Sequence, residues 1–315
     1  MSDLSETSPT TGSRKVFVTG ATGVLGLPAV RALVADGHQV TAVTRTDAKA
    51  EQVQSLGADP VSVDLFDGED VLAATAGHDV LVNLATKIPP ASKAWRASAW
   101  AENERIRHEV SAHLADAAIA HGAERYIQEA IVFANADHGD DVIGEDDPLD
   151  PPEGLDGILA AEANVRRAID AGVTGIILRF GNFYGPDSDY THAAAKMARR
   201  RISSALGAPD GYWSLIHTDD AGTAVAAALR APAGAFNVVD DQPMTRAQID
   251  DAMAAALGVK PLRHAPAPVR KALEKRAAVM ARSIRASNAR FKTATGWAPA
   301  YPSAREGWAA VAAAL

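Results

Sequence analysis

Three glycines spaced three apart, between a β-branched run and an apolar helical stretch, are the residues of this chain best suited to chemistry. Residues 18–26 read VTGATGVLG and place Gly20, Gly23 and Gly26 directly after a strand-like segment. A side chain at these points would block a tight turn, the approach of backbone to a pyrophosphate, or the packing of helix on strand. The helix that follows offers free backbone N–H groups and a positive dipole end to phosphate. Gly20, Thr22, Gly23, Val24, Leu25 and Gly26 are therefore expected to line a dinucleotide. The second strand ends in Val43-Thr44-Arg45-Thr46, where an acidic residue would be needed to grip an unphosphorylated ribose. Arg45 suits a 2′-phosphate, which a guanidinium binds through paired hydrogen bonds, so NADP(H) is expected over NAD(H). A solvated surface arginine is the alternative. Asp64, followed by Leu65, falls where adenine would lie, and Leu84, Ala85 and Thr86 (with Asn83 before them) would run along the cofactor.

Other polar residues have weaker claims. Glu129 lies where the fifth strand opens onto the nicotinamide, and a partly buried carboxylate there could hold a proton near neutral pH. Its plainer reading is an ion pair with Arg125 or Arg179. Tyr184 is a second candidate for proton donation, against a packing role. His217 reads as a scaffold histidine, and Asp219 with Asp220 as caps for a helix over residues 222–229. His138 with Asp137, Asp140 and Asp141 reads as a solvated acidic loop, and no metal site is expected.

The elements that must position these groups alternate in period. Residues 15–19, 39–43, 60–63, 79–84, 125–129 and 175–180 read as strands; residues 24–35, 47–56, 99–121 and 159–171 read as helices. Such alternation means βαβ units and a parallel sheet covered on both faces. After Gly185-Pro186 the pieces shorten. The expected fold is α/β: a Rossmann-type doubly wound parallel sheet with a smaller C-terminal substrate-binding lobe. Residues 1–13 form a frayed tail, residues 14–186 the dinucleotide-binding region, and residues 187–315 mainly the lobe, interleaved with the core.

Composition narrows the classes further. The 315 residues are 47% hydrophobic and 22% charged, with a net charge of −8. This is an ordinary globular balance that disfavours nucleic acid and anionic membranes as partners. The absence of cysteine excludes disulfides, thiolate nucleophiles and cysteine-ligated metals. The polar first 13 residues carry no signal-like apolar stretch, and no run of about 18 apolar residues occurs, so a cytoplasmic protein is expected.

Further motifs follow in order: residues 63–65 (VDL), 83–85 (NLA), 178–186 (LRFGNFYGP), 216–221 (IHTDDA), 287–290 (SNAR), Gly296-Trp297-x-Pro299 and 305–307 (REG). With the glycine loop they span nearly the whole length, and the chain resembles the extended short-chain dehydrogenases/reductases, the NAD-dependent epimerase/dehydratase group. The resemblance implies a cofactor-dependent oxidoreductase or epimerase acting on a small metabolite. It also implies a tyrosine acid/base, a lysine four residues later that favours phenolate, and a serine that polarises the substrate oxygen. This chain departs from that pattern. No lysine occurs between Lys93 and Lys196, and no serine between Ser111 and Ser188. Aligning the family's glutamate on Glu162 puts the tyrosine position at Gly154 and the lysine position at Ile158, while the serine region reads QEAIVF over residues 128–133.

A non-standard mechanism is therefore expected, with a redox-neutral isomerase, cyclase or lyase, or a non-catalytic cofactor sensor, as alternatives. The substrate would lie between the lobes, against Lys87, Asn182, Phe183 and Trp213, within walls from residues 87–95, 131–155 and Tyr212. Without a nest of arginines, an uncharged aromatic or polyketide-like metabolite fits best. The family often dimerises through two helices, here residues 99–121 and 159–171, whose alanine-rich faces permit close approach in a homodimer.

Overall fold

The computed structural model describes residues 12–90, 93, 96–151, 155–274 and 278–315. Its first half runs β1 (Lys15–Thr19), α1 (Gly26–Ala35), β2 (Gln39–Val43), α2 (Asp47–Gln54), β3 (Asp59–Val61), α3 (Gly68–Ala74) and β4 (Val80–Asn83). A 3-10 turn (Ala97–Trp100), α4 (Ala101–Arg105), a π turn (Ile106–Val110) and α5 (Ser111–His121) lead into β5 (Arg125–Ile131). Next come β6 (Val142–Ile143), α6 (Gly157–Asp170), β7 (Thr174–Phe180), β8 (Asn182–Tyr184), α7 (Asp189–Arg199), β9 (Tyr212–Trp213), β10 (Leu215–His217), α8 (Thr218–Ala228) and β11 (Gly234–Val238). The chain closes with β12 (Met244–Thr245), α9 (Arg246–Ala256), α10 (Ala267–Glu274), α11 (Ala278–Ala281), β13 (Arg285–Ala286), α12 (Ala289–Thr295) and α13 (Ala304–Ala314).

Seven strands form one sheet in the order β11-β7-β5-β4-β1-β2-β3, and every pairing in it is parallel. The doubly wound α/β expectation holds. Because side chains alternate along a strand, each strand feeds both faces. Val16, Val18, Val82, Ile127, Ile176 and Leu178 pack on one side, with Val30 and Leu33 of α1 and Val225 of α8. Phe17, Leu81, Tyr126 and Ile177 pack on the other, with Leu114 of α5 and Val165 of α6. Burial on both faces explains why these strands read as continuous apolar runs.

Two boundaries differ from the sequence reading for a local reason. α1 begins at Gly26 instead of residue 24, because Gly23 N–H donates to Gly20 O and keeps the loop in a turn. The expected helix over residues 99–121 is interrupted by the π turn, which directs Arg107 and Val110 inward. After residue 186 the chain does not simply leave the sheet, since β11 returns as its edge strand beside β7.

The smaller lobe has its own core of Tyr184, Leu215, Met244, Met253, Trp308 and Val311. Tyr184 stacks on Trp308 with centroids 6.1 Å apart, and its hydroxyl donates to Ser303 O. α13 crosses closely enough that a Cβ on Gly307 would stand 1.9 Å from the Tyr184 hydroxyl oxygen. Gly307→Ala should therefore destabilise the fold by about 1–3 kcal/mol in urea unfolding, and adding Tyr184→Phe should recover part of the loss. No effect of the alanine would refute the packing.

The same lobe holds Asp240, whose Oδ1 is buried without a hydrogen-bond partner. Burial, reinforced by Asp220, Asp241 and Glu306, pushes its carboxyl well above the ordinary range. A carboxyl raised in the native state stabilises folding below its unfolded pKa, and this contribution is lost as pH climbs through the native value. As pH rises above the ordinary carboxylate range, the native chain should lose stability relative to Asp240→Asn, as denaturant midpoints would show. Parallel curves for the two proteins would contradict this assignment.

Candidate functional site

The glycine loop closes against the end of β4. Gly20 has φ +66°, and a Cβ there would lie 2.4 Å from the Leu84 carbonyl carbon and 2.6 Å from Ala85 N. A Cβ on Gly26 would lie 2.1 Å from Gly20 O. Only glycine admits this turn, which brings residues 20–26 and the Leu84-Ala85 segment together as adjoining backbone. No side chain caps the N-terminus of α1, so the residues present fit a pyrophosphate set against backbone N–H groups. Thr22 and Val24 are at least partly exposed in this loop, while Leu25 packs inward.

The remaining cofactor candidates sit along the same carboxyl edge. Arg45 is exposed just past β2; Thr44 is buried and its N–H donates to Val61 O, while the Thr46 hydroxyl caps α2. Asp64 is exposed, with Oδ1 accepting from Phe66 N–H, and Leu65 O meets the His113 ring. Leu84 and Ala85 are buried at the β4 end and Thr86 is half-buried. Asn83 differs from expectation: it is 1% exposed and belongs to a buried polar chain beneath the site. The Thr19 hydroxyl donates to Asn83 Oδ1, Asn83 Nδ2 donates to Gln128 Oε1, and the Tyr126 hydroxyl donates to the same oxygen. This chain of bonds ties β1, β4 and β5 into fixed register.

At the next position along β5 stands Glu129, 3% exposed. Its partner is neither Arg125 nor Arg179 but Arg107 from the π turn, whose Nη2 donates to both carboxylate oxygens at 2.9 and 3.2 Å. Arg125 instead donates to Ala231 O. Arg179 holds Glu162, the fully buried glutamate of α6, through Nε and Nη2 at 2.7 and 2.9 Å. Burial raises the Glu129 carboxyl above the ordinary carboxylate range, and Arg107 opposes that shift. Arg107 is the residue that sequence reasoning missed: it lies 22 positions away on an interrupted helix, outside any motif. Its Cβ lies 3.0 Å from where a Cβ of Gly157 would be, so Arg107 is rooted beside the start of α6, next to the position at which the resemblance puts the family's lysine. That lysine position is Ile158, buried at 2%; the tyrosine position, Gly154, lies outside the described residues.

The other candidates are placed as follows. Tyr184 is in the lobe core, and burial raises its hydroxyl pKa further from neutrality, which favours its packing reading over proton donation. His217 is fully buried, with Nδ1 accepting from Asp219 N–H, so the histidine caps α8. Asp220 does not cap that helix; it accepts from Ala300 and Tyr301 N–H groups and pins the C-terminal loop. Asn182 pairs across to Leu215, and Phe183 tilts on Phe180 at 5.4 Å. Trp213 meets Phe133 edge-on at 6.3 Å, with the Arg246 guanidinium 4.9 Å above its ring. Lys87 is exposed, and its N–H donates to Asn103 Oδ1; Trp95 lies outside the described residues. The acidic loop is tethered by Ser283 N–H to Asp137 Oδ2. Ligand-type side chains gather instead at Glu104, His108 and Asp156, where Glu104 Oε2 accepts from Gly157 N–H. No helix among the described residues is long and apolar enough to cross a membrane.

Comparison with known proteins agrees with this geometry. Residues 20–205 match the family described as NAD(P)H-binding. A 3-diazoavenalumate denitrifying reductase of a Streptomyces species is 36% identical over 313 residues, covering 93% of this chain and 98% of the relative. A 2-alkyl-3-oxoalkanoate reductase of Stenotrophomonas maltophilia is 28% identical, covering 78% and 76%. Among solved structures, human epimerase family protein SDR39U1 with NADPH superposes with TM-score 0.79 at 22% identity, covering 96% and 100%. UDP-N-acetylglucosamine 4-epimerase from Bacillus cereus gives 0.76 at 18%, covering 96% and 99%. The chain belongs to the family described as NAD(P)H-binding, and it shares the fold of these epimerase-family structures.

Proposed function

We propose that this protein is an NADPH-dependent reductase whose acceptor takes hydride without needing a proton, an arenediazonium group being the chemistry that fits. The carrying observation is the buried Arg107–Glu129 pair at the carboxyl end of β5, beside Ile158 in place of the lysine. A carbonyl acceptor becomes an alkoxide as it is reduced and needs an acid; a diazonium carbon does not. The 36% identical relative supports the reading, since its name describes reductive denitrification of a diazo compound.

The bound dihydronicotinamide would supply hydride that forms a C–H bond as the C–N bond breaks, its electron pair leaving with N2 and the positive charge passing to the oxidised cofactor. The chain's own residues bind, orient and exclude water. Gly20, Thr22, Gly23, Val24, Leu25 and Gly26 hold the pyrophosphate, Arg45 the 2′-phosphate, Asp64 and Leu65 the adenine, and Leu84, Ala85 and Thr86 the far half. Val132 and Phe133, both buried just past β5, keep water from a carbon prone to hydrolysis. Lys87, Asn182, Phe183 and Trp213 bound the substrate. Pairing of α5 and α6 between two copies would give a homodimer.

Incubating the protein with 4-carboxybenzenediazonium and NADPH deuterated at C4 should give benzoate labelled at the carbon vacated by nitrogen, with one NADPH oxidised per N2. A rate no faster than the enzyme-free control would overturn the reading. Separately, tryptophan fluorescence titration should show NADPH binding more tightly than NADH. Arg45→Ala should weaken NADPH by about tenfold, the scale of one charged hydrogen bond, and leave NADH nearly unchanged. Equal loss for both cofactors would remove Arg45 from the phosphate site.

A further inference from the structure

We infer that Arg107 is a specificity-determining residue that anchors an anionic oxygen of the substrate, a carboxylate or a phenolate, at the inner end of the cleft. Arg107 is 3% exposed, and only its Nη2 edge is used by Glu129. Its Nη1 is fully buried with no hydrogen-bond acceptor among the described residues. A buried guanidinium N–H left unbonded is costly, and such groups occur where an external acceptor completes them. The position points the same way. Gln128 is level with Asn83 across the sheet, so Glu129 lies level with Leu84, against which the glycine loop closes. In open α/β sheets ligands bind in the crevice beyond the carboxyl ends of the strands. A guanidinium fixed on one edge by a carboxylate is oriented in advance, so its free edge offers directed donors to an oxygen acceptor. Glu129 acts here as the positioning residue, and its charge leaves the empty pair neutral. The inference rests on the reading of this edge as the substrate cleft, but not on the reduction proposed above.

The test uses phenolic acids that cannot be reduced, so it is independent of turnover. With NADPH present, 4-hydroxybenzoate, 4-methoxybenzoate and methyl 4-hydroxybenzoate would be titrated by tryptophan fluorescence. Loss of affinity by about tenfold or more for the methyl ester would assign the carboxylate, and the same loss for the methoxy acid the phenolic oxygen. Arg107→Gln should abolish that discrimination while NADPH still binds. Because this variant leaves Glu129 buried without its cation, Arg107→Gln with Glu129→Gln, which removes both charges, serves as the second variant and should behave alike. Equal binding of the three probes, no binding of any, or discrimination that survives in the double variant would overturn the proposal and leave Arg107 a purely structural ion pair.

Discussion

A carboxyl taken out of water at the end of a parallel sheet keeps its charge at low cost only if a cation goes with it. The Glu129–Arg107 pair is where this chain meets that constraint. Breaking such a pair by removing one partner typically costs about 3–5 kcal/mol, because the survivor stays buried and uncompensated. Much of the local architecture follows from keeping both. The π turn breaks the regular rise between α4 and α5 and directs Arg107 inward, its Cβ beside Gly157 at the start of α6. One residue earlier on β5, Gln128 joins the polar chain to Asn83 and Thr19. The carboxyl ends of β4 and β5 thus rest on bonded polar groups in dry surroundings, where each is stronger than in water and none can be lost singly without leaving an orphan.

A second buried pair, Glu162 with Arg179, repeats the device one layer back. Two parallel N–H···O bonds fix α6 against β7, and Arg179 also donates to Glu145 O. Glu145 in turn accepts from Asn237 N–H of β11, so the pair reaches the edge of the sheet. These links hold Glu145, in the segment that follows β5, to β7 and β11.

How far this was legible in the sequence depends on the range of each interaction. The glycine loop, the strands and the sheet could be read because backbone sterics and alternating burial write themselves into neighbouring residues. Gly20 and Gly26 announce a close approach that the structure contains at Leu84 and Gly20 O. Arg107 could not be read as Glu129's partner, since the pair is set by three-dimensional packing across an interrupted helix, and Arg125 and Arg179 were equally plausible by sequence alone. The same holds for Asp220, which looks like a helix cap in one dimension and proves to pin residues 300 and 301. Interleaving of the C-terminal region with the core is legible in the sequence, but β11 as the returning strand is not, because the segments around it are short.

The site's departure from its family follows from the same electrostatics. A tyrosine that donates a proton near neutral pH needs a cation beside it, and this chain has put isoleucine at that cation's position while committing a different cation, Arg107, to a carboxylate. A charge already neutralised cannot also depress a phenol's pKa, so restoring a tyrosine alone would not restore the family's chemistry. What the arrangement retains is the part of catalysis that needs no proton: holding hydride donor and acceptor together can lower a barrier by roughly 7–11 kcal/mol. An acceptor whose leaving group departs as a neutral gas leaves no anion to be protonated. On the function proposed above, the missing acid and the buried ion pair belong together: orientation and exclusion of water replace acid–base chemistry.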